Sequence, residues 1–221
     1  MAGWGSFLAA LLVFLLSHVI PTRPAVRERL IDTLGRTGYF AAYSTFSLAV
    51  LAWLIIAAAQ APYVEVIPPL AVFRWVPLLV MPIVCWLAVA GLAIQNLFSF
   101  GGLGRMPFDP DNPGILRTTR HPILVALMLW AFAHMLANGS LSHVILFGLF
   151  AGFAWMGMAL IDRRKQRQLG QDWERLSRNT ARLSLRIPKP LPRALVWLTA
   201  IVAYAVLLHL HAPVIGLSPL P

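Results

Sequence analysis

Uncharged apolar runs alternate along the chain with short polar stretches, and the runs are of membrane-crossing length. Six are present, at about residues 4–20, 39–61, 75–98, 122–137, 141–161 and 194–212, and every Asp, Glu, Lys and Arg falls between them. A helix rising 1.5 Å per residue needs about 20 residues, and at least roughly 17, to cross the hydrocarbon core. Four runs meet this comfortably, and the first and fourth meet it with interfacial flanks. The pattern predicts an all-α integral membrane protein, a six-transmembrane-helix bundle forming a single membrane domain over residues 1–221. The first run has no Lys or Arg ahead of it and is followed by Ser17, His18 and Pro21 rather than a small-residue cleavage site, so it is expected to be retained.

The connections refine this picture. Asn138-Gly139-Ser140 reads as a tight turn, which makes the fourth and fifth runs a helical hairpin. About 30 polar residues join the fifth and sixth runs. Within them, residues 162–177 read as an extension of the fifth helix, interrupted at Gly170 and ending before Pro188, Pro190 and Pro192. Pro77 and Pro82 predict a kink in the third helix. Gly148 and Gly152, spaced four apart in the fifth, predict close approach of a neighbouring helix.

Composition agrees: 59% hydrophobic residues, 12% charged and a mean hydropathy of +0.74 exclude a disordered segment and an ordinary soluble domain. The net charge of +10 would suggest nucleic acid in a soluble chain. Here it has a topological cause. Four Arg, including Arg36, lie in 22–38, three (Arg105, Arg117, Arg120) in 99–121 and ten Lys or Arg in 162–193, whereas only Arg74 lies in the intervening loops. Lys and Arg are retained on the cytoplasmic side, so both termini are expected on the non-cytoplasmic side of the membrane. No nucleic-acid partner is expected; the bilayer is the partner, and the last basic loop also meets anionic headgroups. Cys85 is the single cysteine, which excludes an intrachain disulfide and a cysteine-based zinc site.

Polar side chains within hydrocarbon are costly unless they are partnered, so those at the span ends are the candidates for chemistry. One layer, on the cytoplasmic side, holds Ser17, His18, Tyr39, Tyr43, Gln95, Asn96, Arg120 and His121; the outer layer holds Gln60, His134, Asn138, His143, His209 and His211. Neutral imidazole binds iron, copper or zinc and relays protons. His143, His209 and His211 read as interfacial, hydrogen-bonded side chains, and His209 and His211, two apart, face different sides of a helix. His18 stands out as the lone imidazole in an apolar helix. Arg120-His121-Pro122 stands out because proline favours the first helical position, which leaves free N–H groups beside Arg120 and His121 in an anion-binding arrangement.

At these residues the chain resembles the NnrU family. The resemblance rests on Gly114-Ile115-Leu116-Arg117-Thr118-Thr119-Arg120-His121-Pro122, followed by Leu129-Trp130, His134 and Asn138-Gly139, with Ser17-His18 and Gly35-Arg36 nearer the N-terminus. It spans about residues 4–210. The family includes the membrane domain of plant 15-cis-zeta-carotene isomerase, and its bacterial members are associated with nitrogen-oxide metabolism and denitrification. The resemblance implies a membrane-embedded heme b protein with His18 and His134 as axial ligands and His121 in the shared motif. Its role would be redox or isomerase-like chemistry on a hydrophobic ligand, or sensing of a small gaseous one. Arg36, Arg117 and Arg120 are candidates for pairing with the propionates, since guanidinium matches carboxylate bidentately. Depth arithmetic points instead to His18 with His121, because His134 lies 13 residues, or roughly 20 Å, further along the fourth helix.

Arg-His-Pro before a membrane helix, with a basic helix and Leu169-Gly170 after it, is also similar to isoprenylcysteine carboxyl methyltransferases, which bind S-adenosylmethionine. The pattern departs where Tyr and Gly are replaced by Leu124 and Ala126, and where the acidic pair is reduced to Asp162 beside Arg163, Arg164 and Lys165.

Overall fold

The computed structural model describes residues 2–21, 23–104 and 108–221, so Arg105, counted above among the basic loop residues, lies outside the described residues. Among the described residues seven α-helices follow one another: α1 (Ala2–Val19), α2 (Pro24–Gln60), α3 (Ala71–Ala93), α4 (Pro122–Asn138), α5 (Leu141–Leu169), α6 (Asp172–Ser177) and α7 (Ala194–Ile215). Among the described residues there is no strand, only isolated antiparallel bridges at Glu65–Ser140 and Gly114–Lys189. The helices α2, α3, α5 and α7 are long and apolar enough to cross a membrane; α1 and α4 are shorter apolar helices. Each apolar run of the sequence coincides with one of these six.

Two elements differ from the sequence reading. The arginine-bearing segment after Pro21 is helical, because α2 starts at Pro24 and breaks at Gly35, whose φ of 69° and ψ of 162° suit only glycine. The third helix stops at Ala93, five residues before the end of its apolar run, and Ile94 is extended. Elsewhere the turn signals hold. Gly139 ends α4 in the left-handed conformation, at φ 57°, and Gly170, at φ 51°, separates α5 from α6.

The chain forms two compact units. The first comprises residues 1–66 and 140–146. In it α1 and α2 pack side by side over Phe7, Ala10, Phe14, Val50, Leu54 and Ala57, all buried. Gly3 lies against Gln60 and Pro62, and the Tyr39 hydroxyl donates to Pro21 O at 3.0 Å, so the two helices run antiparallel. The start of α5 is fixed here by Leu141 N–H to Val64 O and Ser142 Oγ to Ala58 O.

The second unit comprises residues 67–139 and 147–221. Its core joins α3, α4 and α5 through Leu87, Phe98, Ile115, Leu116, Val125 and Met158. The last helix, α7, lies along α3, with Trp86 and Trp197 stacked at 5.2 Å and Tyr204 Oη donating to Leu78 O. The end of α3, the start of α4, Asp162 of α5 and the start of α7 meet at one end of this unit, which we call the basic end. The start of α3, the end of α4 and the end of α7 meet at the other.

Candidate functional site

At the basic end the polar residues close on one buried carboxylate. Asp162, first residue past the apolar part of α5, is 1% exposed. Its Oδ1 accepts from Arg120 Nε (3.2 Å) and His121 Nε2 (3.0 Å), and its Oδ2 from Arg120 Nη2 (2.9 Å) and Arg182 Nε (2.8 Å). A carboxylate holding this many charge-assisted bonds is kept ionised despite burial. Arg120 also reaches Thr180 Oγ1 and lies 5.3 Å over the Trp173 ring. His121 is fully buried, and its second nitrogen, Nδ1, is 3.0 Å from Ser99 Oγ. Both imidazole nitrogens are thus engaged within the protein. The anion that the Arg-His-Pro sequence predicts at this helix start is the chain's own Asp162, 41 residues after His121.

The same motif holds the segment that follows α6. Arg120 N–H bonds Ala181 O, Thr119 Oγ1 bonds Arg182 O, Thr118 Oγ1 bonds Arg186 O, and Gly114 N–H bonds Lys189 O. Residues 114–120 and 181–189 therefore run antiparallel. Asn96 extends the node, its amide donating to Arg120 O while its oxygen accepts from the N–H groups of Phe98 and Ser99. Above this platform is a cavity of about 630 Å³ between the last turn of α3, the 108–116 loop, Pro190–Arg193 and the first turn of α7. In the loop, Asn112 Nδ2 and the Asp111 N–H donate to Asp109, and they hold its carboxyl below the usual carboxylate range.

The two histidines mapped by resemblance share one local arrangement. In the first unit His18 Nδ1 is 2.8 Å from Phe14 O, with Ser17 Oγ also near and the ring against Phe14 and Tyr43. In the second, His134 Nδ1 is 2.8 Å from Trp130 O, with the ring against Trp130 and Phe147. Each carbonyl belongs to the residue four earlier on the same helix. A carbonyl only accepts, so Nδ1 carries the proton and Nε2 the lone pair. His134 also lines a cavity of about 270 Å³ at the other end of the unit, with Arg74, Tyr204 and His211. His211 Nδ1 faces Leu217 O, and His143 Nδ1 faces Ser140 Oγ.

The remaining candidates are placed as follows. Arg36 is exposed beside the break in α2, and Arg117 is half-buried in the 3₁₀ turn before α4; neither side chain forms an ion pair among the described residues. Nothing lies within 4 Å of a Cβ built on Gly148 or Gly152, so the close helix packing expected at that pair is not found. Among the described residues no group of three or more His, Cys, Asp or Glu is placed to hold a metal ion. Asp162, Ser99, Thr119 and Arg182 were not singled out as site residues by the sequence. Their signals are that Thr119 lies within the Gly114–Pro122 motif and that Asp162 is the first charge after the fifth apolar run.

Apolar helices of bilayer length, with their charge confined to ends and connections, define a helical membrane protein. Within that class, the chain matches the family described as NnrU protein over residues 6–219, and it belongs to that family. No curated protein and no solved structure matches it.

Proposed function

We propose that this protein binds heme b through His18 and His134, and that it crosses a bacterial inner membrane six times with both termini on the non-cytoplasmic side. The observation that supports the ligand pair is the tautomer the two residues share. Metal-binding histidines commonly donate the other ring N–H to a backbone carbonyl, which fixes the ring and directs the lone pair at the metal. Both histidines have that arrangement, and His121, with Asp162 and Ser99 on its two nitrogens, does not. Heme bound there would supply a redox-active iron whose behaviour is set by its axial ligands and the polarity of its surroundings.

The residues of this chain would do the holding. Phe14 and Trp130 carbonyls orient the imidazoles, and aromatic rings beside each exclude water. Arg36 and Arg117 are the guanidinium groups to meet the propionates, since the Arg120 fork is engaged with Asp162. The family's association with nitrogen-oxide metabolism, and its kinship with a carotene isomerase, make the reaction either nitrogen-oxide-linked redox chemistry or isomerisation of a hydrophobic substrate.

Absorption spectra of the detergent-purified protein test this. The unaltered protein should show a six-coordinate, low-spin Soret band. His18→Ala and His134→Ala should each turn it five-coordinate and high-spin or abolish it, and His121→Ala should leave the coordination unchanged. An unchanged spectrum in either of the first two removes that residue from the ligand pair. A His121→Ala protein with five-coordinate heme would favour His121 instead.

A further inference from the structure

The segment between α6 and α7 leaves large aliphatic side chains uncovered. Leu183, Leu185, Ile187 and Leu191 are 52%, 103%, 69% and 65% exposed. Single exposed leucines are ordinary on a protein surface, but a contiguous group marks a contact with something apolar. The group is held outward by construction. Leu183, Leu185 and Ile187 alternate with Arg182, Ser184 and Arg186, and alternate residues of an extended chain point to opposite sides. Arg182 Nε and Ser184 Oγ bond inward, to Asp162 Oδ2 and Arg117 O, and the Arg186 carbonyl accepts from Thr118 Oγ1. The three apolar side chains are left outside that bonded face.

Continuity and charge say what covers them. The exposed apolar surface passes from Leu191 into α7 through Leu195, Leu198 and Ile201, all exposed on a helix of bilayer length. Leu191 stands three residues before that helix, so the group lies at the level where α7 leaves the hydrocarbon. An extended chain goes no deeper, because lipid-exposed strand edges do not occur within hydrocarbon. Residues 162–193 hold ten Lys or Arg against Asp162, Asp172 and Glu174. Asp162 and Asp172 are already bonded to arginines, whereas Arg186 and Lys189, exposed beside the leucines, form no ion pair among the described residues. An apolar row flanked by such cations matches the acyl boundary and the phosphates of an anionic leaflet.

We propose that residues 183–191 form an interfacial anchor, in which Leu183, Leu185, Ile187 and Leu191 enter the acyl boundary of the leaflet at the basic end while Arg186 and Lys189 lie on the phosphates of anionic lipids. The proposal rests on the reading that α7 crosses the membrane. It adds apolar insertion to the headgroup contact that charge alone implies, and it gives the anchor a task. Arg182 ties the segment to Asp162, and Thr119 Oγ1 bonds Arg182 O, so the lipid surface fixes the depth at which the 17-residue α4 begins.

Nitroxides at single cysteines test this in the full-length protein, reconstituted in phosphatidylcholine vesicles with and without phosphatidylglycerol. The sites are Leu185→Cys, Ile187→Cys and, within α7, Ile201→Cys, each combined with Cys85→Ala, and depth is read from relative accessibility to oxygen and to a water-soluble nickel chelate. Ile201 should lie in hydrocarbon. Leu185 and Ile187 should favour oxygen and sit roughly 5–10 Å below the phosphates, deeper with phosphatidylglycerol than without. Arg186→Gln combined with Lys189→Gln should remove that lipid dependence and leave the insertion. Full chelate access at Leu185, with Ile201 still in hydrocarbon, would overturn the anchor and leave the α7 crossing standing. Shielding of Leu185 from both probes would also overturn it, since a second copy or another protein would then cover the segment. Chelate access at Ile201 would overturn both the crossing and the anchor built on it. The readout is independent of heme.

Discussion

Asp162 gathers Arg120, His121 and Arg182 around one buried carboxylate, and the load is local. Replacing it by Ala leaves Arg120, His121 and Arg182 around an apolar gap, and breaking a buried pair from one side costs about 3–5 kcal/mol. For a chain of this length that is a fall in apparent Tm on the order of 10 °C, read by thermal unfolding in detergent. Asp111→Ala should be near silent, since the Asp111–Arg178 pair is exposed on both sides. An equal loss in the two variants would show that the node is no stronger than a surface pair. The same closure argues against a nucleotide-like cofactor at Arg-His-Pro, where Leu124 and Ala126 are buried in the core as well. S-adenosylmethionine should give no heat of binding in calorimetry, and low-micromolar binding would restore the methyltransferase reading. Arg120 and His121 were legible as a charged group at a helix start. Their partner was not, because a contact 41 or 42 residues away leaves no spacing signature in one sequence.

At the scale of elements, glycines of similar appearance in the sequence do different things. Gly139 has φ 57°, and a Cβ there would collide with Ile67 O, so Gly139→Ala combines left-handed strain of roughly 1–2 kcal/mol with a backbone clash. Gly148 and Gly152 are helical with open space around them. Alanine there should gain up to about 1 kcal/mol of helix propensity in each case. Thermal unfolding should therefore fall for Gly139→Ala and hold or rise for Gly148→Ala and Gly152→Ala. A loss at the latter pair would mean that this face meets another helix in the membrane. The turn at Gly139 was legible from Asn-Gly-Ser between apolar runs, as was the break at Gly170. The helix from Pro24 to the Gly35 break is hidden in the sequence, although Pro24 at the first helical position is its signal, because a dense run of charge between apolar spans has the pattern of a loop. The early end of α3 is hidden for the opposite reason. Residues 94–98 remain mostly apolar while turning back under Asn96, whose side chain caps Phe98 and Ser99.

For the whole molecule, the charge distribution gives a one-sided expectation for the side of the membrane that each loop faces. Of the 18 Lys and Arg, 17 belong to three loops that six crossings place on a single side, and Arg74 alone belongs to the other. Inverted insertion would translocate all three basic loops, against the bias that retains Lys and Arg in the cytoplasm. The weak points are α1 and α4, which at 18 and 17 residues span roughly 25–27 Å and fall short of a hydrocarbon core of about 30 Å. Local thinning of the bilayer or interfacial flanks would accommodate them at modest cost. A reporter active only in the cytoplasm should be silent when fused after Pro221 or inserted at Gly139, and active when inserted at Lys165. Activity after Pro221 with silence at Gly139 would place the error after the fourth helix. Activity at both sites would point to α1 or to α4 failing to cross, and cysteine labelling at Ala2 would then distinguish these. Both outcomes would overturn the six-crossing arrangement, and a failure of α4 to cross would also conflict with its packing against α3 and with the bonds from Arg120 and His121 to Asp162.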